Sequence, residues 1–190
     1  TGSAEVGWKL KGEAGKKKVV LELGGNAAVI VDRTANIDEA SKAIAMSAYN
    51  YAGQVCISVQ RIYVDAAVFD EFLEKFKNDV NALKLGNPLE DGVVIGPMID
   101  RVHLDRIDSW IHEAKNAGAE VLIGGTPVDL EHNLYAATLL TNTKPEMKIV
   151  SEEVFGPVAI IEKVQYFDEV IREVNRSRYG LQAGLFTNQI

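Results

Sequence analysis

The sequence predicts an α/β fold with a mainly parallel twisted sheet flanked by helices, on three observations. Apolar runs of strand length alternate with amphipathic stretches of helical length along the chain. The run "AAVIVD" at 27–32 is almost continuously apolar, as in strands buried on both faces of a parallel sheet. The composition, 47% apolar and 25% charged, is that of an ordinary globular protein able to bury a sizeable core.

The elements follow in order. Residues 3–14 read as a helix capped by Ser3 and ended by Gly15. "KVVLEL" at 18–23 reads as a strand broken by Gly24 and Gly25, and the basic run Lys16–Lys18 before it as a solvated corner. Asn36 is placed to cap a helix running to about Ala52, with Ile37, Ala40, Ile44, Ala48 and Tyr51 on one face. A strand at 57–64 leads to a helix at 66–83 whose inner face carries Phe69, Leu73 and Phe76. The Gly- and Pro-punctuated stretch 84–100 is too long for a simple connector and reads as an ordered surface loop. A helix at 101–117 ends at Gly118, and a strand follows at 119–123. Apolar segments at 134–140 and 157–164, a helix at 167–176 and a strand at 183–187 complete the pattern. No repeat interrupts it.

Several functions are disfavoured. A net charge of −7 argues against nucleic acid or an anionic membrane surface as partner. No apolar run approaches the roughly 20 residues that span a bilayer. One cysteine excludes an internal disulfide framework and fits a reducing, cytoplasmic setting. The three histidines, His103, His112 and His132, do not pair at i,i+4, and with no second cysteine a zinc site is not expected. G-x-S-x-G and P-loop patterns are absent, and a lone Gly-Gly is no dinucleotide fingerprint. Asn175-Arg176-Ser177 matches a glycosylation sequon, a pattern common by chance.

Four stretches carry residues capable of chemistry. In "YAGQVCISVQRIYV" (51–64), Cys56 lies between a helix ending in glycine and a strand. A lone cysteine is ordinarily a small buried hydrophobe, but a thiol at a sheet edge, where backbone N–H groups favour a thiolate, is a candidate nucleophile. In "LELGGN", Glu22 is a carboxylate in an apolar run beside two glycines. It is either a solvent-facing strand end or a general base of raised pKa, with backbone approaching a ligand at the glycines. "SEEVFGP" (151–157) is a loop with Phe155 as core anchor, or a carboxylate for sugar hydroxyls beside an aromatic for a flat ring. "TGSAEVG" opens the chain with small residues at a helix N-terminus, a weak sign of phosphate binding.

Together these stretches resemble the NAD(P)-dependent aldehyde dehydrogenase superfamily. "LELGG", then "GQVC" with its cysteine 34 residues after Glu22 (22 to 56), then "EEVFGP" are similar to three signature stretches of that family, and "TGSAEVG" and "YGLQAGLFT" to two more. The resemblance covers essentially the whole chain. It implies Cys56 as the nucleophile forming a thiohemiacetal and then a thioester. It implies Glu22 as the base that activates the hydrolytic water, whose presence favours release of a carboxylic acid over transfer to coenzyme A. Glu153 would hold the nicotinamide ribose, Phe155 would flank the nicotinamide, and Ser3 with Gly2 would meet the pyrophosphate. Gly24 would let backbone pass the nicotinamide. The cofactor implied is NAD or NADP, the partner a small aldehyde, and the assembly a homodimer or homotetramer of the full-length protein. Asn26 departs from the lysine common after the double glycine, which bears on subfamily rather than chemistry.

The resemblance also implies a division: residues 1–24 as the end of a cofactor-binding domain and 25–190 as an incomplete catalytic domain. The rest of the cofactor domain, with an oxyanion-hole asparagine, would lie outside this chain, so the 190 residues alone are expected to have little or no activity. Two alternatives remain open on the residues: a cysteine acyl-transfer or hydrolase enzyme without nicotinamide, and a non-catalytic module that keeps the fold.

Overall fold

A computed structural model describes residues 1–189. Its centre is a six-stranded sheet of order β10-β1-β2-β9-β8-β5. These strands are β1 (Ala27–Val31), β2 (Val59–Asp65), β5 (Glu120–Ile123), β8 (Thr138–Thr141), β9 (Val158–Val164) and β10 (Ala183–Phe186). All neighbours pair parallel except β5 and β8, which are antiparallel. The mainly parallel α/β architecture is as expected. Every residue of β1 is buried, which explains its unbroken apolar run.

Alternation along the strands sorts side chains to two faces. Val29, Val31, Ile62 and Val64 join the larger core with helices α2 (Ile37–Tyr49), α3 (Phe69–Asn81) and α4 (Arg101–Asn116). Ala28, Ile30 and Tyr63 face the other way and meet Val170 of α6 (Phe167–Asn175). The α3 core face holds Phe69, Phe76 and the additional Phe72, with Leu73 only partly buried. Tyr49 of α2 is fully buried, and its hydroxyl donates to the Thr138 carbonyl at 3.0 Å, tying α2 to β8.

Helix starts follow the predicted caps. Ser3 Oγ accepts from Val6 N–H at 3.4 Å and opens α1 (Ala4–Glu13). Asn36 Oδ1 accepts from Glu39 N–H at 3.3 Å and opens α2. The stretch 84–100 contains a short parallel pair, β3 (Lys84–Leu85) with β4 (Val93–Ile95). The apolar segment at 134–140 is divided: β7 (Leu134–Tyr135) pairs with β6 (Pro127–Asp129) before β8 begins. The turn α5 (Lys148–Ser151) precedes β9.

Two expectations fail. Residues 18–23 form no strand: β1 already has neighbours on both sides, no ladder partner is left there, and Val20 stands exposed. Tyr51 does not continue the buried face of α2. That helix ends at Tyr49, and Tyr51 and Ala52 take left-handed conformations (φ 53° and 54°) that leave the Tyr51 ring in solvent. Tertiary context decides here: the chain must reverse to deliver residues 53–56 to the head of β2.

Phe72 is wholly buried and stacks on Phe76 with centroids 5.5 Å apart. Replacing Phe72 with Ala is expected to lower unfolding free energy by about 3–5 kcal/mol, read as a reduced midpoint in urea denaturation.

Candidate active site

The chemistry-bearing residues come from loops that enter parallel strands. Gly24 and Gly25 precede β1, Cys56 precedes β2, and Glu153 and Phe155 precede β9. Because β1, β2 and β9 run parallel and adjacent, their entering loops gather at one edge of the sheet. This is the amino edge, opposite to the carboxyl edge where open α/β sheets usually bind ligands.

Backbone packing brings these loops into contact. A side chain on Gly25 would overlap the Cys56 carbonyl oxygen, and one on Gly53 the Gly156 carbonyl oxygen. A side chain on Gly24 would meet the Glu153 carboxylate. That carboxylate accepts from Gly25 N–H at 2.8 Å. Phe155 follows in a left-handed conformation (φ 49°), which turns its ring out of the core.

Cys56, Gly24, Glu153, Phe155, Ser3 and Gly2 all line one cleft of about 570 Å³. Glu22 is absent from that lining, but its carboxylate acts on the Cys56 thiol. The Gly2 N–H donates to the Glu22 carbonyl at 3.1 Å, so the chain start is pinned to this stretch. Sequence reasoning gave no role to Gln54, His103 and Arg106, which also line the cleft. Gln54 was in view within "GQVC". Its side chain bridges to the long loop, donating to the Pro97 carbonyl at 3.1 Å and accepting from Ile99 N–H at 2.9 Å. Arg106 lies on α4 with no local signal. Its guanidinium stacks 4.6 Å from the Trp110 ring centroid and donates to the Val154 carbonyl at 2.6 Å.

Electrostatics differ from the expectation of a thiolate-favouring pocket. Burial pushes the Cys56 thiol above its ordinary pKa, and Glu22 raises it further as hydrogen-bond acceptor and as negative charge. The backbone N–H of Cys56 opposes that rise, and the Glu153 charge adds a smaller increment to it. The Glu153 carboxyl is also raised by burial, an effect moderated by Gly25 N–H and by Arg106. A neutral thiol next to a carboxylate is a proton donor facing its acceptor.

Val55 and Ile57, the neighbours of Cys56, line a second, apolar cleft of about 440 Å³ with Ala27, Met46 and Val59. Among the described residues, no group of three His, Cys, Asp or Glu side chains could hold a metal ion. No helix among them is long and apolar enough to cross a membrane.

Residues 1–190 match the model of the aldehyde dehydrogenase family. The chain belongs to that family. It is 44% identical over 190 residues to 3-sulfolactaldehyde dehydrogenase of Priestia megaterium, covering all of this chain and 39% of that protein. The structure superposes on an NAD-dependent aldehyde dehydrogenase from Sinorhizobium meliloti with a TM-score of 0.94 at 34% identity, covering 100% of this chain and 38% of the other. It superposes equally well on the glyceraldehyde-3-phosphate dehydrogenase GapN from Methanocaldococcus jannaschii complexed with NADP (TM-score 0.93, 36% identity, 100% and 40% covered). The chain thus spans about two fifths of the length of these aldehyde dehydrogenases.

The Glu22 charge predicts a measurable shift. Alkylation of Cys56 by iodoacetamide should show its midpoint above the ordinary thiol range, because only the thiolate reacts. Glu22→Gln removes a negative neighbour, so the midpoint should move to lower pH. A midpoint unchanged or raised in that variant would contradict the electrostatic assignment.

Proposed function

We propose that the protein carrying this chain is an NAD(P)-dependent aldehyde dehydrogenase that oxidises an aldehyde to a carboxylic acid. The observation that carries this reading is the convergence of Cys56 and Glu153 on one cleft, with the Glu22 carboxylate acting on the thiol, in a chain of this family.

In this mechanism Glu22 takes the proton of the Cys56 thiol. The thiolate attacks the aldehyde carbon, a C–S bond forms, and the carbonyl π electrons move to oxygen, giving a thiohemiacetal. The backbone N–H of Cys56 is a donor available to that oxygen. A nicotinamide held in the cleft would accept the hydride from that carbon, and Cys56 would then carry a thioester. Glu22 releases the thiol proton to solvent and, again ionised, takes a proton from water; the hydroxide adds to the thioester carbon, and the carbonyl re-forms as the C–S bond breaks, releasing the acid and leaving Cys56 as thiolate. Covalent catalysis separates oxidation from hydrolysis, and one carboxylate serves both proton transfers.

The cleft fits such a cofactor. The three glycine contacts show backbone held close, and the first turn of α1 opens toward Ser3 and Gly2 with its dipole favouring negative charge. Glu153 would hold ribose hydroxyls, Phe155 would flank the flat ring, Gly24 would admit it, and Ser3 with Gly2 would meet the pyrophosphate. Residues 1–24 then belong to the end of a cofactor-binding domain and 25–190 to the catalytic domain. The neighbours include an NAD-dependent enzyme and one complexed with NADP. We place the full-length protein in the cytoplasm as a homodimer or homotetramer.

A cysteine–histidine hydrolase finds less support. His103 reaches the cleft, but its Nδ1 lies 2.7 Å from Asp100 and the charged groups acting on the thiol are carboxylates.

The test is NAD(P)H formation by the full-length protein with a panel of aldehydes. Cys56→Ala should abolish it. Glu22→Gln should lower steady-state turnover by about 10²-fold or more, with acyl-enzyme persisting because hydrolysis loses its base. The 190-residue chain alone should turn over little or no aldehyde. Retained activity in Cys56→Ala would refute the nucleophile.

A further inference from the structure

The backbone around Glu153 has no strand ladder: Glu153, Val154 and Phe155 lie outside helix and sheet. Its polar groups are satisfied by side chains from elsewhere. Asn26 Nδ2 donates to the Val150 carbonyl at 2.8 Å and the Glu152 carbonyl at 3.1 Å. Tyr179 Oη accepts from Glu153 N–H at 3.3 Å. Arg106 donates to the Val154 carbonyl. One side chain touches both flanks of Glu153. Gln60 Nε2 donates to the Ile149 carbonyl at 3.0 Å and the Glu152 carbonyl at 2.7 Å, while its Oε1 accepts from Val154 N–H at 3.0 Å.

Gln60 is buried, at 5% exposure, on the core face of β2 shared by Ile62 and Val64. An amide here is costly unless all its groups are bonded, and an apolar side chain would suit the core better. It lies four residues after Cys56 on the same segment (56 to 60). One rigid strand therefore carries the thiol at its entrance and the amide that brackets the cofactor carboxylate.

We propose that Gln60 is a positioning residue of the dehydrogenase: its amide acts as a false ladder partner that fixes the Glu153 carboxylate relative to Cys56 for cofactor binding. The inference rests on the dehydrogenase reading above. Gln60 touches neither cofactor nor substrate. It replaces, for one loop, the paired strand that the loop lacks.

The experiment titrates NAD and NADP separately into the full-length protein, wild type against Gln60→Met and Gln60→Glu, with melting temperature as the folding control. The Met variant keeps length and loses all three hydrogen bonds. Its dissociation constant for the preferred cofactor should rise on the order of ten- to hundredfold, with kcat at saturating cofactor less affected. The Glu variant supplies a signature that simple destabilisation does not. Ionised, it faces the Ile149 and Glu152 carbonyls with no donor. Protonated, it donates to one of them while its other oxygen accepts from Val154 N–H. Burial and those carbonyls favour its neutral form, so binding should recover toward wild type as pH falls. Glu22, Glu153, Arg106, and the Glu152–Arg178 pair beside it are common to both proteins, so the variant-to-wild-type ratio at each pH is the readout.

A folded Met variant with unchanged affinity, or a Glu variant with a pH-independent ratio, overturns the proposal alone. If the Met variant does not fold, the Glu ratio decides. A wild type that binds neither NAD nor NADP overturns the dehydrogenase reading and this inference with it.

Discussion

Two contacts of backbone on backbone hold the site together. Gly25 lies against the Cys56 carbonyl and Gly53 against the Gly156 carbonyl, each with no room for a Cβ. Peptide units cannot rotate aside as a flexible side chain can, so any side chain at either position must push loops apart. The first contact joins the entrance of β1 to that of β2, and the second joins the turn before Cys56 to the loop that enters β9. The thiol and the Glu153 carboxylate share one cleft because these three loops touch. The left-handed residues Tyr51, Ala52 and Phe155 are the conformational cost of that arrangement, about 1 kcal/mol or more each.

This packing also accounts for the use of the amino edge of the sheet. Loops entering adjacent parallel strands converge when they are short, and their convergence encloses the groups they carry. Enclosure raises the thiol pKa, and so do the two carboxylates on it. A thiol kept neutral is a poor nucleophile at rest and is protected from stray alkylation and oxidation. Glu22 raises the thiol pKa through hydrogen bonding and through its charge. In the mechanism we propose, the same carboxylate both restrains the thiol and takes its proton. Glu153 is kept apart from that role by Gly25 N–H and Arg106, which oppose the effect of burial on its own pKa.

The parts of the molecule legible in sequence were those governed by local physics. β1 announced itself as an apolar run because it is buried on both faces, and α1 and α2 start at Ser3 and Asn36 because capping is a matter of three residues. Cys56, Glu22 and Glu153 were weak signals one by one, and only the order and spacing of their stretches marked them together; the structure brings Cys56 and Glu153 to one cleft, with Glu22 acting on the thiol. What needed three dimensions was set by partners far along the chain. "KVVLEL" has the composition of a strand, but strands exist only where an edge is free, and both sides of β1 are taken. Tyr51 has helical spacing, but the chain has to turn back there. Arg106 reaches the cleft only because α4 packs against the loop before β9, a contact spanning 48 residues.

Asn26, where the resemblance leads one to expect lysine, supports the backbone before Glu153. The position is 4% exposed and faces the carbonyls of Val150 and Glu152, so what it requires is a hydrogen-bond donor of moderate reach. A lysine ammonium supplies donors there, and an asparagine amide supplies them without importing a charge that would need compensation in the core. The charge already present is Arg61, buried nearby and donating to the Asn26 carbonyl at 3.1 Å, with no carboxylate ion pair among the described residues. A second cation beside it would add repulsion in a low-dielectric setting. Asparagine at 26 supports the backbone before Glu153 through its Nδ2, at the cost of its own buried Oδ1, which has no hydrogen-bond partner among the described residues.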